Sequence, residues 1–219
     1  MPTVLITGAN RGLGLEFTRQ YRGEGWNVIA TAREPAPELE ELRARVERVD
    51  MTDLDAVAGL GERIDALDLL IANAGTYGPQ EVSDAEQARS WSETFIVNTI
   101  APYVLARAVL PLLEASHGKL IAISSKMGSI ADNNSGGYLA YRTSKTALNS
   151  AWHNLAVDTR GRGAVAAVLH PGWVQTRMGG ASAPLQPEES VAGMRRVIDR
   201  LGPDDSGGFF GYDGERIAW

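Results

Sequence analysis

The chain is predicted to belong to the α/β class, as a doubly wound, mainly parallel seven-stranded sheet with helices on both faces. Three observations carry that expectation. Short β-rich runs alternate with longer segments of helical period from end to end. The first of these runs is continuously apolar instead of alternating, as a strand covered on both faces requires. No Pro-, Gly- or Ser-rich linker and no internal repeat interrupts the alternation, so one domain over residues 1–219 is expected.

The first strand is Thr3-Val4-Leu5-Ile6-Thr7, and residues 12–22 follow as a helix, with Leu13, Phe17 and Tyr21 recurring at helical spacing. Residues 27–31 form the second strand. A charged helix over 38–45 leads to a short third strand at 45–49. Thr52-Asp53 is a helix-capping pair for residues 54–64. The fourth strand covers 67–72. Residues 84–115 have helical pattern and divide into two helices, with Pro102 near the start of the second. The fifth strand covers 119–124, a long helix 138–159, the sixth strand 165–169, a helix 188–201 and a last short strand 207–210. Ligands of such sheets bind beyond the carboxyl ends of the strands.

Composition narrows the function. Apolar residues make up 44% and charged residues 22%, an ordinary balance for a chain with a real core. The net charge is −6 and no Lys/Arg-rich stretch is present, so no nucleic-acid partner is expected. There are no cysteines, which removes disulfides and thiolate chemistry. No apolar run approaches the ~20 residues that span a bilayer, and residues 1–6 lack a charged leader region. A cytoplasmic protein with no membrane partner is expected.

Thr7-Gly8-Ala9-Asn10-Arg11-Gly12-Leu13-Gly14 joins the first strand to the first helix. Glycines there permit a tight turn, bring backbone N–H groups up to a pyrophosphate and let the helix pack closely on the sheet. The helix N-terminus adds its partial positive charge. Arg33 follows the second strand, where this kind of fold reads the adenosine ribose. A cation there, with Arg11 as a second, suits a 2′-phosphate and hence NADP(H) over NAD(H).

Tyr141 and Lys145 lie four residues apart, on one face of the long helix. A phenol with a pKa of ~10 exchanges protons poorly at neutral pH unless a neighbouring charge lowers it, and an ammonium favours the phenolate. Spacing alone is not distinctive, because Tyr103/Arg107, Tyr138/Arg142 and Tyr212/Arg216 share it. Tyr141 differs in being followed by a lysine, with Ser124-Ser125 ending a strand upstream.

Together these segments resemble the classical short-chain dehydrogenase/reductase family, whose fold is Rossmann-like. Thr7 to Gly14 matches its T-G-x-x-x-G-x-G, Asn73-Ala74-Gly75 its N-A-G, Tyr141 to Lys145 its Y-x-x-x-K, and Pro171-Gly172 with Thr176 its P-G…T segment. The segments around Ser124–Ile130, Tyr141–Asn149, His170–Val174 and Tyr212–Gly214 resemble its C-factor and Sniffer-like carbonyl reductase branch. The resemblance implies an NADPH-dependent reduction of a small carbonyl substrate, an aldehyde or ketone, to an alcohol. Tyr141 would be the proton donor, Lys145 would lower the Tyr141 pKa and hold ribose hydroxyls, and Ser125 would hydrogen-bond the carbonyl oxygen. Asn98 would position a water in the proton relay. Asp50 would reach the adenine, Asn73 would line the cleft and Thr176 would contact the carboxamide. Gly8, Asn10, Gly12, Leu13, Gly14, Met51, Ala74, Gly75, Pro171, Gly172 and Val174 complete the implied cofactor set. A signalling role with incidental turnover is the alternative that this branch implies.

Ser125 lies 16 residues before Tyr141, wider than the family pattern. Asn133-Asn134-Ser135-Gly136-Gly137 is an insertion that absorbs the difference, and Ser129 is the competing serine. The three histidines show no ligand spacing, and no metal is expected. Trp91, Phe95 and Tyr138 are candidates for pocket lining or core. Relatives often pair the long helix across a two-fold axis, so a homodimer or homotetramer is implied, with Trp152 as a candidate contact.

Overall fold

The computed structural model describes residues 1–219. Seven strands form one sheet: β1 (Thr3–Thr7), β2 (Asn27–Ala32), β3 (Arg45–Arg48), β4 (Leu69–Ala72), β5 (Lys119–Ile123), β6 (Val165–His170) and β7 (Phe209–Gly211). Their order is β3-β2-β1-β4-β5-β6-β7, and every neighbouring pair is parallel. β1 lies at the centre, with Val4 paired to Val28 on one side and Leu69 on the other. The chain winds outward from β1 to β3, then returns to place β4 beside β1. The connections after β1 and β4 therefore leave for opposite faces and open a crevice between them.

Side chains along the strands alternate between two cores. Leu5, Leu70 and Leu120 join one, beneath α3 (Leu54–Ala58), α5 (Ala101–Ala115) and α6 (Leu139–Asp158). Val4, Ile6, Ile71 and Ile121 join the other, beneath α1 (Gly12–Gly23), α2 (Pro37–Glu41) and α7 (Pro187–Arg200). This is why the central strands are apolar without a break.

Several expected boundaries shift. The helix expected at 38–45 is only the short α2, which buries Leu39 and ends before Arg43 at a left-handed φ of 53°. The helix expected at 54–64 begins as predicted, with Asp53 accepting a hydrogen bond from Ala56 N, but α3 stops at Ala58. A single 3-10 turn, Gly61–Arg63, follows. A Cβ at Gly61 would stand 2.7 Å from the Ala108 carbonyl oxygen, so α5 packs on bare backbone there. The 84–115 stretch does divide in two, as α4 (Ala85–Phe95) and α5, but a π-turn at Ile96–Ile100 joins them into one continuous rod. Pro102 sits just inside α5, where the wide π register accommodates a residue without an amide hydrogen.

By length and apolarity that rod passes as a membrane span, contrary to the expectation that no such run exists. Its apolar side is engaged within the fold, with Leu105, Val109 and Leu113 fully buried against the sheet. Trp152 is likewise fully buried and donates through Nε1 to the Leu120 carbonyl at 3.1 Å. This corrects its expected place as an oligomer contact. Indole groups on long helices suit cores and interfaces equally well, and only packing distinguishes them.

Candidate active site

The loops that follow β1 through β6 border a single cleft of about 1170 Å³ at the carboxyl edge of the sheet. That exceeds the ~300–1,000 Å³ of an ordinary small-ligand pocket and suits an extended ligand. Gly8 and Gly14 shape its floor. A Cβ on Gly8 would stand 2.9 Å from the Ala74 backbone, and one on Gly14 would fall on the Gly8 carbonyl and 2.7 Å from Asn73 Nδ2. Any side chain would push the turn after β1 away from the turn after β4. The two turns are tied directly: Thr7 Oγ1 accepts from Asn73 N and Ala74 N at 3.0 Å each, and Asn73 Nδ2 donates to the Thr7 and Gly8 carbonyls. Asn73 therefore holds the cradle together while lining it.

α1 starts at Gly12 with no side-chain cap and no acidic residue in its first turn. Its free N–H groups and positive dipole end suit a pyrophosphate, so the residues fit a dinucleotide. Asn10, Arg11, Gly12 and Leu13 line the cleft beside them, and Thr176 faces Gly12 from across it. Arg33, Asp50 and Met51 border the far end. Arg33 is largely exposed, with its guanidinium 3.8 Å from the Asp50 carboxylate. Hydrogen bonds from Thr52, with the Arg33 charge behind them, hold Asp50 below the usual carboxylate range.

Two of the expected cofactor residues pack their side-chain positions against neighbouring segments. Gly172, at a left-handed φ of 83°, presses against Leu185 and the Tyr212 ring, and Val174 is buried in a bridge to Leu185. Both stand outside the cleft lining, which is formed here by Pro171, Gln175, Thr176, Arg177 and Met178. The segment turns after Pro171 to pair with Leu185, and alternate residues face away.

At the inner end, α6 presents Tyr141 and Lys145 to the cleft. Both are buried, 8% and 3% exposed. Lys145 Nζ donates to the Ile123 carbonyl at 2.8 Å and stands 5.8 Å from the Tyr141 ring centre. Burial without an acidic partner pulls Lys145 down to about 8. Burial also pushes the Tyr141 phenol well above its usual value, reinforced by Tyr77 and opposed by a hydrogen bond with Ser125. This differs from the expected lowering by Lys145.

Ser125 lies outside the cleft lining but contacts it through Tyr141. Its own hydroxyl accepts from Met127 N at 3.1 Å. Ser124 borders the cleft, and its hydroxyl donates to Asn149 Oδ1 at 2.6 Å. Ser129 is 1% exposed, accepts from Asp132 N and donates to the Trp219 carbonyl. The Ser129 hydroxyl is thus committed to its own loop and to the chain's last residue.

Asn98 occupies the π-turn and is fully buried. Its Oδ1 accepts from Thr76 N, and its Nδ2 donates to the Thr76 carbonyl and Ser144 Oγ, at 2.8–3.0 Å. The side chain is thus occupied in tying the turn after β4 to α6. A Cβ on Gly75 would stand 3.4 Å from Asn98 Oδ1 and 3.6 Å from Lys145 Nζ, so this glycine lies directly against both groups. Trp91 donates to Thr143 Oγ1 at 3.0 Å and packs near Phe95, and neither lines the cleft. His170 is half-buried with Nδ1 unpartnered, and burial, aided by Lys126, pulls it down to about 4.

A family model described as short chain dehydrogenase matches residues 2–186. The chain belongs to that family. Among characterised relatives of this short-chain dehydrogenase, C-signal of Myxococcus xanthus is 45% identical over 158 residues, covering 70% of this chain and 93% of that protein. Among solved structures, carbonyl reductase Sniffer of D. melanogaster is 36% identical with a TM-score of 0.93, and each chain is covered completely. The NADPH-bound carbonyl reductase from chicken fatty liver is also 36% identical, with a TM-score of 0.88 over 100% of this chain and 99% of that one.

Sequence reasoning missed Tyr77, whose ring meets Tyr141 edge-on with centres 4.7 Å apart. Its only signal was its place two residues after Asn73-Ala74-Gly75, in a loop with no periodicity. Thr76, Gln175 and Arg177 were missed for the same reason.

Proposed function

We propose that this short-chain dehydrogenase reduces a small aldehyde or ketone to an alcohol with NADPH. The observation that carries the reading is a buried tyrosine, one helical turn before a buried lysine, at the inner end of a cleft floored by a glycine cradle. When bound, the reduced nicotinamide supplies the hydride. Tyr141 gives its proton to the substrate oxygen, and a phenol that burial keeps neutral is in the right state to do so. Ser125 steadies that oxygen as negative charge develops, a contribution of about 3 kcal/mol for one well-placed donor. Lys145 is the group through which the proton is replaced and to which ribose hydroxyls bond. Gly8, Gly12 and Gly14 admit the pyrophosphate. Arg33 and Arg11 take the 2′-phosphate, and the NADPH-bound carbonyl reductase among the similar structures supports that preference.

The test is NADPH oxidation with a panel of reactive carbonyls, followed by loss of near-ultraviolet absorbance. Tyr141→Phe should lower kcat by about 10²- to 10⁴-fold, with NADPH affinity largely kept. A variant as active as the wild type excludes the mechanism. The likeness to C-signal favours a second reading, in which dinucleotide binding serves signalling and turnover is incidental. A biological role that survives Tyr141→Phe but is lost in Gly14→Ala would support it.

A further inference from the structure

The entrance to α6 has an unusual backbone. Gly136, Gly137 and Tyr138 all adopt left-handed conformations, with φ of 62°, 70° and 51°. The two glycines have open space where a Cβ would go, so the backbone and not crowding calls for them. Tyr138 gains no such freedom, and a bulky residue at positive φ is held there only by its surroundings. What holds it is Arg142. The guanidinium donates from Nε to the Gly136 and Gly137 carbonyls at 3.1 Å each, from NH2 to Ser135 Oγ at 2.9 Å and from NH1 to the Met127 carbonyl at 3.4 Å. It ties the insertion to the turn that follows Ser125.

The consequence is the position of an aromatic ring. Tyr138 is 44% exposed, and its ring centre lies 5.9 Å from that of Tyr77, which in turn meets Tyr141 at 4.7 Å. The two phenol rings thus run outward in series from the Tyr141 ring, Tyr77 lining the cleft and Tyr138 packed beside it at the surface. Neither belongs to the cofactor cradle, and neither packs into a core.

We infer that Tyr77 and Tyr138 form a wall for the flat face of a conjugated or aromatic carbonyl compound, with Arg142 as the positioning residue that sets Tyr138 in place. The inference rests on the reductase reading above, because the wall matters only if the carbonyl is delivered to Tyr141. Aromatic rings stack on planar π systems more strongly than on saturated rings of equal size. The wall therefore discriminates by flatness, and a short insertion before the catalytic helix becomes a specificity element.

The test uses the NADPH-loaded protein and product alcohols, which cannot turn over in that complex. Benzyl alcohol and cyclohexylmethanol are titrated by calorimetry into wild type, Tyr77→Leu, Tyr138→Leu, Tyr138→Phe and Arg142→Gln. Wild type should prefer the planar ligand by about three- to tenfold, the worth of one aromatic stacking contact. Tyr138→Phe should keep the preference. Both leucine variants should bring the ratio close to one, and Arg142→Gln should lower it although both tyrosines remain. A wild-type ratio near one, no binding of either alcohol, or a ratio unchanged in both leucine variants overturns the proposal. A normal ratio in a protein that reduces no carbonyl would overturn the reductase reading and leave the wall standing.

Discussion

Lys145 is the residue whose environment most clearly carries a consequence. Its ammonium is buried with one carbonyl partner and no counter-ion, so the folded protein favours its neutral form. Below pH 8 both folded and unfolded chains hold the proton, and the folded state bears the full cost of the buried charge. Between about 8 and the ordinary value of 10.5, the unfolded chain stays protonated while the folded one does not. Stability rises with pH wherever the unfolded chain binds more protons. Lys145→Met should therefore be more stable than wild type at pH 7, by up to about 3 kcal/mol. The difference should shrink across that window in urea titrations at stepped pH, and a difference that does not change with pH would show that Lys145 carries no such cost. Tyr141 and Lys145 were legible as a pair because a helix places fourth neighbours on one face. The direction of the phenol's shift was not, since burial comes from distant elements packing around it.

The glycine turn and the rods around it make their predictions as elements. Gly14 opens the first turn of α1 against the turn after β1, where a single Cβ would strike the Gly8 carbonyl and Asn73 Nδ2. Gly14→Ala should lower stability by about 1–3 kcal/mol, the usual scale for overpacking, and weaken NADPH binding at least tenfold. Thermal melting and NADPH fluorescence titration read the two effects, and unchanged affinity would show that the turn is no cradle. The turn was legible because its strand, glycines and helix are contiguous in sequence. The segment after β6 was less so. Pro171 and Thr176 line the cleft, while the Val174 side chain is buried beside a bridge to Leu185. Nothing local in residues 171–176 announces that partner. Helix ends shifted similarly: α3 stops early because α5 lies directly on Gly61.

Across the whole molecule, the sheet order brings six loops to one edge and divides the buried side chains between two faces. Trp152 anchors one of those faces as its largest fully buried side chain. Trp152→Ala should cost about 3–5 kcal/mol in chemical denaturation, from lost packing and the lost indole hydrogen bond. The folded fraction should sediment as wild type does, because the indole faces inward. A change in assembly without loss of stability would return Trp152 to an interface.

Periodicity, the glycine-rich turn and the tyrosine–lysine spacing were enough to define an α/β sheet, its ligand edge and the residues most suited to proton transfer. Each depends on neighbours within a few positions along the chain, where helix and strand geometry are set by local sterics. The partners of Ser129 and Asn98, the inward face of Trp152 and the arrival of Tyr77 beside Tyr141 all depend on contacts between segments far apart in sequence. Those contacts form only when the two cores close, so no local pattern could announce them.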